Sequence, residues 1–313
     1  MNNTDQKKSS RFIGEAALLV MTIIWGATFV IVKEAINDIS SMLFVATRFG
    51  IAGLILLAVL YFKKQKTMLD EVRAGLFLGL LLFLGFFTQT IGLKYTSATK
   101  SGFLTGTLVV MVPLFQTIIE KKFPSKGAQL GTVLVFFGII FLSSSANSLQ
   151  YFFSEIGTNF GIGEQLTLAC AVFFALHVVY IDIYTAKFNF WILLTTQIIT
   201  VSILSLLTSF LLAGLSIEPI RINFSSYLIF GIIYTSIFAT LITMGLQTRF
   251  QKVVSPTKAG IIYSFEPIFA ALFAFFLLSE KITNFSLLGC GLIFLGLLSA
   301  EIMDYFFERK NGS

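Results

Sequence analysis

The sequence is poor in charge. Asp, Glu, Lys and Arg make up only 12% of its 313 residues, against 56% hydrophobic, and a water-soluble domain carries about twice that charged share. So few charges cannot cover a water-facing surface, which makes lipid the solvent around most of the chain. There are two cysteines, Cys170 and Cys290, each inside an apolar run. They read as small packing residues and exclude a disulfide framework. His177 is the only histidine; with no Cys/His cluster beside it, a metal site is excluded. No Gly-rich phosphate loop followed by Lys-Ser or Lys-Thr is present, so the chain does not hydrolyse ATP itself and calls for no cofactor. There is no linker, acidic tail or low-complexity block. The net charge of +6 does not point to nucleic acid, because the basic residues fall in short clusters between apolar runs, as membrane topology requires.

What the sequence has is long apolar runs. Crossing a hydrocarbon layer of about 30 Å takes about 20 residues of helix. Ten stretches qualify: Ile13–Lys33, Ser40–Phe62, Arg73–Tyr95, Thr99–Glu120, Lys126–Ser145, Gly161–Tyr184, Phe190–Ala213, Ser225–Thr248, Val254–Ser279 and Thr283–Tyr305. They are continuous rather than alternating, which argues against strands. The first follows Lys7, Lys8 and Arg11 and resembles a signal peptide, but its length and the spans after it read as an uncleaved helix. With the N-terminus cytoplasmic, about 16 Lys and Arg residues fall inside and about five outside, namely Lys33, Lys94, Lys100, Arg221 and Lys281. The long outer loop from Ala146 to Phe160 carries none. This predicts an all-α integral membrane protein of ten helices, with both termini in the cytoplasm.

The chain also repeats itself. An offset of about 149 residues pairs Gly14-Glu15 with Gly163-Glu164 and Thr47-Arg48 with Thr196-Gln197. An offset of about 158 pairs Gln89 with Gln247, Thr99-Lys100 with Thr257-Lys258, Gly102 with Gly260, Gly131 with Gly289 and Gly138 with Gly296. A longer loop between the second and third spans of the second half accounts for the change. Five spans per half is an odd number, so the halves are inverted relative to one another, an arrangement that places a site at mid-membrane between them. The expected organisation is a tail 1–12, a first repeat 13–145, a second repeat 161–305 and a tail 306–313.

The segment Gly92 to Gly106 (GLKYTSATKSGFLTG), with Trp25-Gly26 in the first span and Arg48-Phe49 in the second, resembles the EamA branch of the drug/metabolite transporter superfamily. So do Gln251, Val254-Ser255-Pro256-Thr257, Glu266-Pro267 and Ser279-Glu280-Lys281 in the second half. The resemblance covers nearly the whole chain. It implies ten helices, an inverted five-plus-five repeat, a central cavity and export of amino acids, related metabolites or drugs. One departure stands out: the glutamate that ends the fourth span in the family, matching Glu280 in the ninth, is Lys122 here, with Glu120 two residues earlier.

Ionisable groups within the membrane each need a reason. Arg48 in the second span could bind a substrate carboxylate or serve as a structural arginine; its repeat partner is Gln197. Glu266 in the ninth span could bind an ammonium group, carry a coupling proton or pair with Arg48. Pro267 after it frees a backbone carbonyl and predicts a kink, and Pro113 in the fourth span is a second kink candidate. His177 is a pH-sensitive cavity residue or a packing histidine. Trp25, Thr28, Gln89, Thr107, Tyr180, Gln247 and Tyr263 are candidates for an aromatic, partly polar lining, each also explicable by helix packing. The 36 phenylalanines fit lipid-facing positions. Together these features predict a secondary transporter of small metabolites in a bacterial inner membrane, with amino acids favoured. Monomer and homodimer stay open. The rivals are an intramembrane lipid-modifying enzyme, which needs acid, base or metal groups gathered at one depth, a passive channel and a non-transporting scaffold.

Overall fold

The computed structural model describes the backbone of residues 3–65, 67–142, 161–279 and 283–311, and the side chains within 11–65, 67–141, 161–279, 283–300 and 302–303. The loop Ala146–Phe160, the pair Glu280-Lys281 and the side chains of Lys7, Lys8, Arg309 and Lys310 lie outside the described residues. The elements are α1 (Asn3–Ala35), α2 (Ser41–Lys63), α3 (Leu69–Tyr95), α4 (Ala98–Gly106), α5 (Leu108–Glu120), α6 (Lys126–Leu142), α7 (Ile162–Thr185), α8 (Phe190–Gly214) and α9 (Ser226–Ser236). A π-helix, Ile237–Ile242, joins α9 to α10 (Thr243–Phe250), followed by a short 3-10 turn, α11 (Pro256–Tyr263), α12 (Glu266–Leu278) and α13 (Asn284–Asn311). Among the described residues there are no strands, only an isolated bridge between Ile39 and Ile222.

Among the described residues, eight segments are long and apolar enough to cross a membrane: Arg11–Ala35, Ser41–Lys63, Leu69–Tyr95, Ala98–Glu120, Ile162–Thr185, Phe190–Gly214, Ser226–Val253 and Pro256–Leu278. The fifth and tenth expected spans fall on α6 and α13, whose fully described parts, Lys126–Phe141 and Asn284–Ala300, are apolar. The chain is a multi-pass membrane protein. Large apolar side chains stand outward along the spans, Leu54 at 69% exposure and Phe276 at 70%, which hydrocarbon accepts and water would not.

Local chemistry sets the helix ends. Ser97, Asn189 and Ser225 side chains accept from the backbone N–H of Lys100, Trp191 and Leu228 respectively, satisfying first-turn donors. Lys121 and Ser279 close α5 and α12 in the left-handed region, with φ of 55° and 56°, and they are repeat counterparts.

Both long fourth-in-half segments are interrupted, and at matching positions: α4 gives way to α5 at Thr107, and α11 to α12 at Ser264-Phe265. Pro267 follows the second interruption directly, where its missing N–H explains the break. Pro113, expected to kink the first, instead lies inside α5, and the break falls six residues earlier at Thr107. A Cβ on Gly106 would stand 2.8 Å from Pro267 Cγ, so the two breaks meet across a glycine.

Packing follows the repeat. α6 and α13 share the most extensive interface, α2 packs on α8, α1 on α12, and α7 on α3, α4 and α5. A Cβ on Gly131 would lie 2.7 Å from the Gly296 carbonyl oxygen, and one on Gly138 would lie 2.9 Å from that of Gly289. The backbones of α6 and α13 therefore touch, antiparallel, through small residues.

Candidate functional site

A central cavity holds about 530 Å3 of space free of protein atoms, counting the part open to solvent. It is lined by Trp25, Thr28, Arg48, Leu82, Phe86, Gln89, Thr105, Leu108, Phe174, His177, Val178, Met244, Gln247, Tyr263 and Glu266. Twelve of these residues form six repeat pairs by the offsets above: Trp25/Phe174, Thr28/His177, Phe86/Met244, Gln89/Gln247, Thr105/Tyr263 and Leu108/Glu266. Trp25 lies ten residues into the first span from Glu15, about 15 Å along the helix, and eight from Lys33, about 12 Å. The cavity thus sits near mid-span.

Arg48 is 4% exposed. Its Nε donates to Thr240 Oγ1 at 2.6 Å and its Nη2 to the Ala239 carbonyl at 2.9 Å. The guanidinium carbon lies 4.9 Å from the Phe86 ring centre and 5.2 Å from that of Phe49, an arrangement the ring faces favour. Trp25 Nε1 donates to Thr243 Oγ1 at 2.9 Å and to Ala239 O at 3.2 Å. Ala239 and Thr240 belong to the π-helix, whose altered hydrogen-bond pattern presents backbone oxygen to side chains from other helices. Two lining residues of the first half are therefore tied to the π-helix of the second.

Glu266 is 8% exposed and opens α12, where the positive end of the helix dipole favours a carboxylate. Among the described residues its carboxylate has neither an ion-pair nor a hydrogen-bond partner. The pairing with Arg48 offered by the sequence is not formed, because Arg48 turns to the π-helix instead. His177 is 1% exposed. Its Nε2 meets Gln197 Oε1 at 3.0 Å, and Gln197 Nε2 donates to Thr248 Oγ1 at 3.0 Å. The repeat partner of Arg48 thus holds the histidine in place. Gln89 Nε2 donates to Thr105 Oγ1 at 3.1 Å, whereas Gln247 Oε1 is buried without a partner. Trp25 and Tyr263 rings pack with centres 5.7 Å apart.

Eight of the ten side chains expected at a lining converge here. Thr107 and Tyr180 do not. Thr107 sits at the α4–α5 break and donates to Leu104 O at 2.6 Å. Tyr180 packs edge-on against Phe77 with ring centres 4.9 Å apart. Sequence reasoning missed Leu82, Phe86, Thr105, Leu108, Phe174, Val178 and Met244. The repeat offsets could have found Thr105, Leu108 and Phe174, the counterparts of Tyr263, Glu266 and Trp25, but not Phe86 and Met244, which are counterparts only of each other.

The EamA-like transporter family matches residues 12–144 and again 161–300. An uncharacterized transporter of Archaeoglobus fulgidus is 31% identical, over 93% of this chain and 87% of its own length. The uncharacterized transporter YoaV of Bacillus subtilis is 25% identical over 94% and 97%. The uncharacterized inner membrane transporter YedA of Escherichia coli K12 is 24% identical over 94% and 92%. A crystal structure of a protein 16% identical in sequence superimposes with a TM-score of 0.74, covering 96% of this chain and 99% of the other, which establishes a shared fold.

Proposed function

We propose, since this chain belongs to the EamA-like transporter family, that it is a secondary transporter of amino acids or related small metabolites. It works by alternating access between two inverted five-helix halves, spanning residues 13–145 and 161–305. The observation that carries this reading is the cavity lined by six repeat pairs. A site on the pseudo-two-fold axis of inverted repeats faces either side of the membrane when the halves exchange conformations. The close antiparallel contact of α6 with α13 supports the same axis. The two shorter apolar helices complete ten spans, and the excess of inside positive charge supports cytoplasmic termini in a bacterial inner membrane.

The lining suits a small amphipathic solute. Glu266 and Gln247 Oε1 present acceptors with no donor among the described residues, matching an ammonium group. Trp25, Phe86, Phe174 and Tyr263 supply aromatic walls, and Arg48 stands across the cavity as the cation for a carboxylate. Glu266 is also the group placed to carry a coupling proton. Export is the proposed direction.

The test is efflux of a mixed metabolite pool from proteoliposomes, read by mass spectrometry with and without a pH gradient. Selective loss of a few ammonium-bearing compounds is expected. No selective loss from folded, inserted protein contradicts the reading.

A further inference from the structure

One repeat relation falls outside the cavity. Glu15 and Lys258 are the counterparts of Glu164 and Lys100, respectively, by the same two offsets, yet the two pairs behave differently. Lys258 Nζ lies 2.8 Å from Glu15 Oε1, with the lysine side chain 4% and the glutamate 17% exposed. Arg11 Nε also reaches Glu15, at 3.0 Å. Just inside this pair, Leu18, Met21, Val254 and Ala259 are at most 1% exposed and lie in one packed cluster with Leu108, Val178 and Tyr263 of the cavity lining.

At the other end of α1, 18 residues and about 27 Å away, the counterparts do not pair. Glu164 accepts from Thr96 Oγ1 at 2.7 Å. Lys100 makes no ion pair among the described residues. Both line a second hollow, with about 590 Å3 free of protein atoms.

We infer that these four residues are positioning residues of the transport cycle, two copies of one ionic latch that close alternately. The structure holds the Glu15–Lys258 latch shut and the Glu164–Lys100 latch parted. In the opposite state Glu164 meets Lys100 and Glu15 releases Lys258. The physical basis is the balance of burial. A buried ion pair gains little net free energy over its hydrated components, whereas burying either charge alone is costly. A latch of this kind opens and closes at small cost, but shuts only when both members are present. Beside each glutamate the helices pack equally closely at both ends, so the difference lies in the ion pairs: a Cβ on Gly14 would lie 2.8 Å from Val253 Cγ2, and one on Gly163 would lie 2.8 Å from the carbonyl carbon of Tyr95, the counterpart of Val253.

The inference rests on the alternating-access reading, and its test reads no solute. A Thr28→Cys reporter is placed in the cavity of the full-length chain, with Cys170 and Cys290 replaced by Ala. It is labelled with a membrane-impermeant thiol reagent from either face of oriented vesicles. Lys258→Gln is expected to raise labelling from the Glu15 end roughly tenfold, because the latch there no longer closes; the swapped pair Glu15→Lys, Lys258→Glu is expected to reverse that rise. Lys100→Gln is expected to hold the reporter open to the Glu164 end. If Lys258→Gln does not fold, Glu15→Gln replaces it. Labelling ratios within twofold of the parent in both folded neutralised variants, or a shift toward the same face in both, overturn the latch. Shifted labelling without flux rejects transport and keeps the latch; flux without a shift rejects the latch alone.

Discussion

The two halves present the same positions to the cavity and fill them with different chemistry. Of the six lining pairs only Gln89/Gln247 is identical; the largest departures set an ionisable side chain where its counterpart has none, Glu266 opposite Leu108 and His177 opposite Thr28. Arg48 and Gln197 show the same division. The third span of each half differs likewise: α3 is unbroken from Leu69 to Tyr95, whereas Ser226–Val253 contains the π-helix. The lesson is that the repeat supplies matched positions and matched helix breaks, while single departures from it change the chemistry those positions present to the cavity.

Breaking the most unequal pair carries the largest expected effect. Glu266→Gln removes the one carboxylate of the cavity, and flux in proteoliposomes is expected to fall by about a hundredfold, the scale of losing a buried charged contact to a ligand. The plain partner responds less: Leu108→Met is expected to change flux by under about tenfold, since a volume-conserving apolar swap costs under about 1.5 kcal/mol.

Arg48→Gln tests the link between the halves. It abandons the contacts to Thr240 and Ala239, so a loss of about 1–3 kcal/mol is expected in a thermal melt, together with reduced flux. Thr240→Val removes only one of the two partners and should cost less.

The glycine contacts sharpen the symmetric side of the comparison. Gly131→Ala pushes a methyl group toward the Gly296 carbonyl at 2.7 Å and is expected to cost about 1–3 kcal/mol. At Gly291, in the same interface helix, a Cβ meets nothing within 4 Å, and alanine there should be neutral or slightly stabilising through helix propensity.

The smallest effect lies outside the membrane spans. Glu218 is pushed up by burial but pulled further down by hydrogen bonds from Lys94 and Ser41, so its pKa sits below the usual carboxylate value. A depressed pKa contributes stability that is present above the unfolded value, about 4.3, and lost as pH falls through the lower folded value. Glu218→Gln should remove that acid-sensitive contribution, under about 1 kcal/mol given partial exposure, seen as a melting shift of about 1–2 °C at neutral pH that vanishes in acid.

Much of this was legible in the sequence, for identifiable reasons. Continuous apolar runs gave spans such as Phe190–Ala213 to within a residue of the observed Phe190–Gly214. Polar groups inside those runs pointed to the cavity, because lipid tolerates them only against an interior. The break at Thr107 was not legible: proline marks one interruption but not its twin, which adjoins Gly106, packed against Pro267. The π-helix was hidden too, since Ile-Phe-Ala-Thr-Leu-Ile fits an α-helix equally well and its pattern engages Arg48 and Trp25 from far away in the chain. Tyr180 misled because it stands one turn beyond His177 on α7, where Phe77 rather than the cavity meets it.

The most direct test of the central claim is countertransport. Proteoliposomes are loaded with an unlabelled amino acid identified by the efflux screen, and entry of the labelled form is timed. Alternating access predicts saturable entry, accelerated several-fold by the internal solute and abolished by Glu266→Gln. Entry that neither saturates nor responds to internal solute contradicts the account and describes a pore.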